Sequence, residues 1–349
     1  MNTSFSSSKD FHFSVGPWNL HVGADPFGPP VRDELSFSQK LDIFKQLGFD
    51  FIQFHDDDAV PDDASLAERE RIAGNIKKML SDCGMKAEFV APRLWEDARG
   101  IDGPVTSNSA SDRQWALERG KRAVDVARLL GTNKIVWWPA REGTYIRESK
   151  DALTSFGRML DWTNALLEYG PEIQILGEMK PNEPMDAMYL PTPGHFLAFA
   201  HQTSAPERVG VLIESAHSIL LGVDPSDDFA FALSQNKLWG VHLNDQNGLK
   251  YDQDKTFGSV DLRRAWNQVD VLVRSGFGRN GEVVGLDVKA MRTQPSETAH
   301  QHLKNSMAIF HRLVQLSHSI DRAAIDHFRA TRDYEGLDLF IMENLLGGA

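Results

Sequence analysis

Short apolar runs alternate along this chain with stretches whose apolar residues recur every three to four positions. The runs are Phe13–Trp18, Phe49–His55, Ala87–Ala91, Lys134–Pro139, Ile173–Lys180, Val209–Ala216, Leu238–Asn244 and Val283–Lys289. Continuous apolar runs of this length predict strands buried on both faces, as in a parallel sheet. The intervening stretches predict helices near Ser38–Leu47, Ser65–Leu80, Asp112–Leu130, Lys150–Glu168, Thr192–His201, Asp227–Ser234, Asp261–Arg274 and Thr298–Leu316. Asp112 and Asp261 stand where N-caps belong, and Gly48, Gly131 and Gly276 where helices should stop. Eight strands in strict alternation with eight helices predict an α/β fold, a (β/α)8 TIM barrel, over residues 11–316. A polar, Ser-rich segment, residues 1–10, precedes it. Residues 317–349 follow as a short C-terminal tail, where the spacing of Ile320, Ala324, Phe328, Leu337, Leu339, Phe340 and Met342 predicts one or two helices.

In such a barrel the strand C-termini face the active site. Strands five to eight end in Glu178 and Lys180, Glu214 with His217, His242 and Asn244, and Asp287 and Lys289. Of these, Asn244 and Lys289 are expected to touch substrate, and a loop after strand seven adds Asp252 and Asp254. Ionised groups at buried strand ends are costly unless partners use them. Oxygen-rich sets with one or two imidazoles suit Mg²⁺, Mn²⁺ or Co²⁺, one or two ions per chain. The natural grouping is Glu178, Glu214, His242 and Asp287 for one site, and Glu214, His217, Asp252 and Asp254 for a second. Taken singly, Asp252 and Asp254 also fit a solvated turn, and His217 a helix cap.

Strand two ends in His55, followed by Asp56, Asp57 and Asp58. His55 can shuttle a proton there, with Asp58 fixing its tautomer. Trp18, Trp95 and Trp138 close strands one, three and four, and aromatic walls beside polar groups line carbohydrate pockets. Trp137 is assigned instead to the helix layer.

Composition narrows the classes further. The 349 residues carry a formal charge of −12, with acids spread along the chain and no Lys/Arg block. That argues against a nucleic-acid partner. The single cysteine, Cys83, excludes an internal disulfide and a Cys-type zinc site. No apolar run reaches membrane length and no signal-peptide core is present, so a soluble, cytoplasmic protein without a membrane partner is expected.

From about Phe11 to Leu316 the chain resembles the xylose isomerases. The resemblance rests on Asp25-Pro26-Phe27-Gly28, Phe54-His55-Asp56-Asp57-Asp58, Arg141-Glu142-Gly143, Glu178-Met179-Lys180-Pro181-Asn182-Glu183-Pro184, Leu190-Pro191-Thr192 with Gly194-His195, and Gln246 to Asp254. It implies that His55, oriented by Asp58, assists sugar-ring opening and that Lys180 polarises the C1 carbonyl. It implies one metal on Glu178, Glu214 and the ends of strands seven and eight. A second, on Glu214, His217, Asp252 and Asp254, would move during a hydride shift between C1 and C2. Trp138 would wall the pocket and Phe27 would reach into a neighbouring subunit's pocket.

The departures matter as well. His242 replaces an aspartate, Arg93 and Trp95 replace Asn and Phe, Pro139-Ala140 replaces a Gly-Gly pair, and the long C-terminal arm is cut short. A cationic Arg93 can address an oxidised or acidic substrate. The leading expectation is an aldose–ketose isomerase acting on a small-molecule sugar, as a homo-oligomer. The alternative is enolisation and cleavage of 3-oxo-glycosides, as in the metal subunit of a C-glycoside deglycosidase with a small second subunit, or sugar epimerisation. His55, or a carboxylate such as Glu142, would then be the base. A non-catalytic sugar-binding barrel would leave the metal ligands unused.

Overall fold

The structure, a computed structural model, describes residues 5–249 and 251–347. Part of the expected N-terminal segment, Lys250 and the last two tail residues therefore lie outside the described residues. Eight strands form the barrel: β1 His12–Val15, β2 Phe51–His55, β3 Lys86–Ala91, β4 Lys134–Trp137, β5 Gln174–Glu178, β6 Val209–Glu214, β7 Leu238–Leu243 and β8 Val283–Leu286. All neighbours are parallel, and β1 pairs with both β2 and β8, which closes the cylinder. Each strand is followed by a helix: α1 Phe37–Leu47, α2 Leu66–Asp82, α3 Ala110–Leu130, α4 Ala152–Tyr169, α5 Pro193–Ala200, α6 Pro225–Ser234, α7 Leu262–Ser275 and α8 Gln301–Ser319. The expected (β/α)8 barrel is the observed fold.

Strand alternation divides the core in two. Ile135 and Trp137 of β4 pack outward with the helices, whereas Val136 points inward with Phe89, Ala91, Leu176 and Leu212. Trp137 lies against Trp162, Phe196 and Phe199, as its assignment to the helix layer requires. Inside the barrel Gln53 Nε2 donates to Ser14 Oγ at 2.7 Å and to Glu88 Oε2 at 3.1 Å, so the interior is not wholly apolar.

Helix ends follow local chemistry. Ser36 and Gln39 form a reciprocal capping box at α1, and Gly48 ends it at φ 88°. Gly131 and Gly276 end α3 and α7 in the same left-handed conformation, and Asp261 caps α7. Asp112 is not a cap. Ser109 Oγ accepts the Asp112 N–H at 3.3 Å, which places Asp112 in the first turn, where its charge meets the positive helix end.

Three further features crowd the C-terminal mouth. Short helices Asp56–Ala59 and Ser215–Leu220 follow β2 and β6 directly. A two-stranded antiparallel ribbon pairs Gly143 with Met188 and Thr144 with Ala187, tying the loop after β4 to the loop after β5. The tail forms α9, Arg322–Thr331, and α10, Tyr334–Leu345. Ile325 and Ile341 are buried, and Arg322 Nη1 donates to Asp270 of α7 at 3.1 Å, so the tail packs on its own barrel. Among the described residues no helix is long and apolar enough to cross a membrane.

One buried group makes the fold acid-sensitive. His302 Nε2 donates to the Asn19 carbonyl at 3.0 Å, and Nδ1 is buried without a partner. Burial pushes this imidazole down to about 4. An unfolded histidine binds its proton near pH 6.5, so between about pH 6.5 and 4 the unfolded chain holds more protons. Stability from this group is complete above that window and lost as pH falls through it, by about 3 kcal/mol at most. Urea unfolding at pH 7, 5.5 and 4.5 is expected to show a shallower acid slope in His302→Gln than in the parent.

Candidate metal centre

The C-terminal mouth holds a cavity of about 460 Å³. A larger one, about 660 Å³, opens at the opposite end beside Lys77, Lys86 and Lys134, and none of the clustered acids and imidazoles that could hold a metal lies there among the described residues.

Strand register builds the centre. Glu178 and Glu214 are the last residues of β5 and β6, and Glu214 stands opposite His242 of β7. Asp287 follows β8. One candidate donor atom from each of Glu178, Glu214, His242 and Asp287 lies within 4.8 Å of the others. His242 Nδ1 is 3.6 Å from Glu178 and 3.8 Å from Glu214. Those separations exceed a hydrogen bond. Both ring nitrogens of His242 are buried without a partner. Three carboxylates around an unsatisfied imidazole fit a divalent cation, which would sit among them at the ligand distances of a hard metal ion.

Neighbours aim these ligands. Trp18 Nε1 donates to Asp287 Oδ1 at 3.0 Å. Asn244 Nδ2 donates to Glu214 Oε1 at 2.7 Å, and Asn244 Oδ1 accepts the Ala216 N–H at 2.8 Å. Asn244, expected to touch substrate, is therefore committed behind the site: the first turn of the Ser215–Leu220 helix captures it, and it orients Glu214. Gly285 carries a signal the sequence reading passed over. A Cβ there would lie 2.5 Å from Gln53 Nε2 and 2.6 Å from His242 Cδ2, so only glycine lets the imidazole cross β8.

A second cluster joins Glu214, His217 and Asp252. His217 Nε2 is 3.0 Å from Asp252 and 3.3 Å from Glu214. Lys180 Nζ meets Asp252 at 3.1 Å and Glu183 at 2.8 Å, and Glu183 Oε2 also accepts the Asp252 N–H at 3.0 Å. Glu183, with φ 62°, lines the cavity but was read only as part of a motif. Asp254 is not part of this cluster. It is ion-paired with Lys289 and accepts from Asn244 at 3.2 Å, because the loop turns it toward the ammonium. Lys289 lines the cavity with its charge already balanced.

The charges explain the protonation pattern. Burial works against the Glu178 carboxylate, but His242 outweighs it and holds the group down to about 2. Burial raises Glu214 well above the usual carboxylate range, and the charges of Asp252 and Asp287 add to that. Burial opposes the charged form of Lys180, yet Asp252 and Glu183 more than compensate and keep it protonated.

Across the mouth, His55 Nδ1 lies 2.7 Å from Asp58 Oδ2. Burial opposes ionisation of Asp58, but the His55 hydrogen bond and charge win and lower it. Arg93 Nη2 lies 2.9 Å from the same Nδ1, so Asp58 and Arg93 both converge on that nitrogen while the ring lines the cavity. Arg93 binds Asp57 at 2.7 Å, Asp58 at 2.5 Å and Glu96 at 3.1 Å. Arg119 and Arg122 hold the fully buried Asp56 from α3. The acid run is thus a charge-balanced turn rather than a solvated loop. Arg93, expected to meet an acidic substrate, is neutralised by it. Trp18 packs tilted against His55 with centroids 4.4 Å apart, Trp95 meets Trp138 edge-on at 4.5 Å, and Lys180 Nζ lies 5.6 Å from the Trp138 ring. Phe27 stands apart, 98% exposed on the Asp25–Gly28 turn. Glu142, the alternative base, is buried away from the cavity and accepts from Val105 N at 3.0 Å and from Thr106 N and Oγ1 at 2.9 and 2.6 Å.

A sequence profile of the xylose isomerase-like TIM barrel family matches residues 41–269, and the chain belongs to that family. Solved structures of similar fold include an E. coli 3-keto-D-glucoside 4-epimerase, with TM-score 0.62 and 12% identity over 86% of this chain and 99% of that one. An L-ribulose 3-epimerase gives 0.61 and 14% over 88% and 96%. An IolI protein with a bound zinc atom gives 0.60 and 15% over 87% and 98%. At these identities the likeness is one of fold.

Gly285→Ala is expected to cost about 1–3 kcal/mol of stability, the usual toll of overpacking, because both clashing groups are hemmed in by the barrel. Denaturant unfolding of the variant beside the parent measures it.

Proposed function

We propose that this protein is a divalent-metal-dependent sugar-converting enzyme that interconverts an aldose and a ketose. The observation that supports this reading most is the unpartnered His242 ring among Glu178, Glu214 and Asp287. These four residues would hold the ion, Mn²⁺, Mg²⁺ or Co²⁺, with Glu214, His217 and Asp252 available to a second. A bound dication supplies Lewis-acid polarisation of substrate oxygens without a redox cofactor.

The chain's own residues supply the rest. Lys180, kept charged by Asp252 and Glu183, offers an ammonium to a sugar carbonyl oxygen. His55 Nε2 takes or returns a hydroxyl proton while Asp58 holds the opposite nitrogen. Trp18, Trp95 and Trp138 present ring faces and edges to the sugar's C–H groups and exclude water.

A second reading has one specific observation in its favour. His55, held at Nδ1 by Asp58, would serve as a base toward a C–H next to a carbonyl. Enolisation of an oxidised sugar, epimerisation, or cleavage of a 3-oxo-glycoside would follow from that. Glu142 has no part in it.

Turnover in D₂O separates the two. Mn²⁺-loaded protein is expected to convert D-xylose or D-glucose to the ketose without taking up solvent deuterium at carbon. Carbon-bound deuterium in the product, or turnover of a 3-oxo-glucoside alone, would establish the enolising reading instead. Glu214→Ala is expected to lose Mn²⁺ binding by calorimetry. Lys180→Ala should keep Mn²⁺ but lose about 100-fold or more in kcat, the scale of removing one preorganised charge from a transition state.

A further inference from the structure

Four cationic side chains line the cavity: Lys180, Lys289, Arg93 and Arg141. Three are neutralised within the chain. Lys180 has Glu183 and Asp252, Lys289 has Asp254, and Arg93 has Asp57, Asp58 and Glu96. Arg141 differs. Its Nε donates to the Trp95 carbonyl at 2.9 Å, and among the described residues it forms no ion pair.

That single backbone bond fixes the guanidinium beside the Trp95–Trp138 corner and leaves both terminal amino groups unused. Guanidinium is a planar fork that matches a carboxylate in two parallel hydrogen bonds. Its place in the barrel matters too. Arg141 follows β4, on the side opposite β8, whereas the acid cluster hangs from β5 to β8. An anionic group held by Arg141 is therefore placed across the mouth from Asp287, although β5 with Glu178 is the next strand to β4.

We propose that Arg141 is a specificity-determining residue that selects a carboxylate-bearing sugar or glycoside. The inference rests on the sugar-converting reading above and names the substrate class for that same cavity. The carboxylate can sit on the sugar itself or on its substituent. Arg93, the arginine that the departure from the xylose isomerase pattern brought forward for this task, is spent on the Asp57–Asp58 turn.

The test is calorimetric, on the full chain with and without Mn²⁺. D-Glucuronate is compared with D-glucose, and 4-carboxyphenyl β-D-glucoside with phenyl β-D-glucoside. At least one acid is expected to bind about tenfold or more tightly than its neutral counterpart, the scale of one charge-assisted pair. Which pair shows the preference tells where the carboxylate sits. The preference should weaken with added salt, fall to about unity in Arg141→Gln, and persist in part in Arg141→Lys, which keeps charge but loses the fork. An unchanged Mn²⁺ affinity in both variants shows that the centre is intact. Equal binding of acid and neutral ligand, or a preference that survives Arg141→Gln, overturns the inference. Failure of Mn²⁺ to bind the parent counts against the metal reading alone, because selectivity for the acid is read in either condition.

Discussion

The constraint on which the rest depends is the burial of ionised groups at four adjacent strand ends. Carboxylates removed from water are costly, and mutual repulsion raises that cost. The chain meets it partly with its own cations, since Lys180 and Lys289 each sit on an aspartate of the loop after β7. What those ammonium groups do not reach is the ring of acids around His242. That difference separates the two acid clusters: one is largely satisfied by the protein, and the other could hold a divalent cation.

The opposite wall obeys the same electrostatics with a different outcome. Three consecutive aspartates after β2 would repel one another, but arginines from the end of β3 and from α3 interleave with them. The product is a rigid turn whose last acid holds His55. An imidazole held at one nitrogen in this way would suit the proton transfer proposed above. The same packing brings Trp18 against His55 and onto Asp287, so the imidazole and the acid cluster share one indole.

The fold was legible because barrel strands are buried on both faces and read as unbroken apolar runs. The residues at their ends stand out for the same reason, and Glu178, Glu214, His242 and Asp287 converge as their positions implied. Pairings made by loops were not legible. Asn244 and His242 share a strand parity, yet a helix N–H captures Asn244. Asp254 has the spacing of a ligand, yet Lys289 holds it. Arg93 looked free because its two aspartate partners lie 36 and 35 residues away. Glu183 and Gly285 were visible letters whose roles depend on contacts across the cylinder. The Asp112 assignment failed locally: the preceding serine takes the cap, and the acid is left in the first turn.

The small ribbon of Gly143–Thr144 with Ala187–Met188 joins two loops that bear opposite duties. One leaves β4 with Arg141, and the other leaves β5 with Lys180 and Glu183; Tyr189 N also donates to the Glu142 carbonyl at 2.9 Å. Stitched together, they travel as one slab. Glu183 also accepts the Asp252 N–H, so the loop after β7 leans on the same slab and three segments of the mouth brace one another.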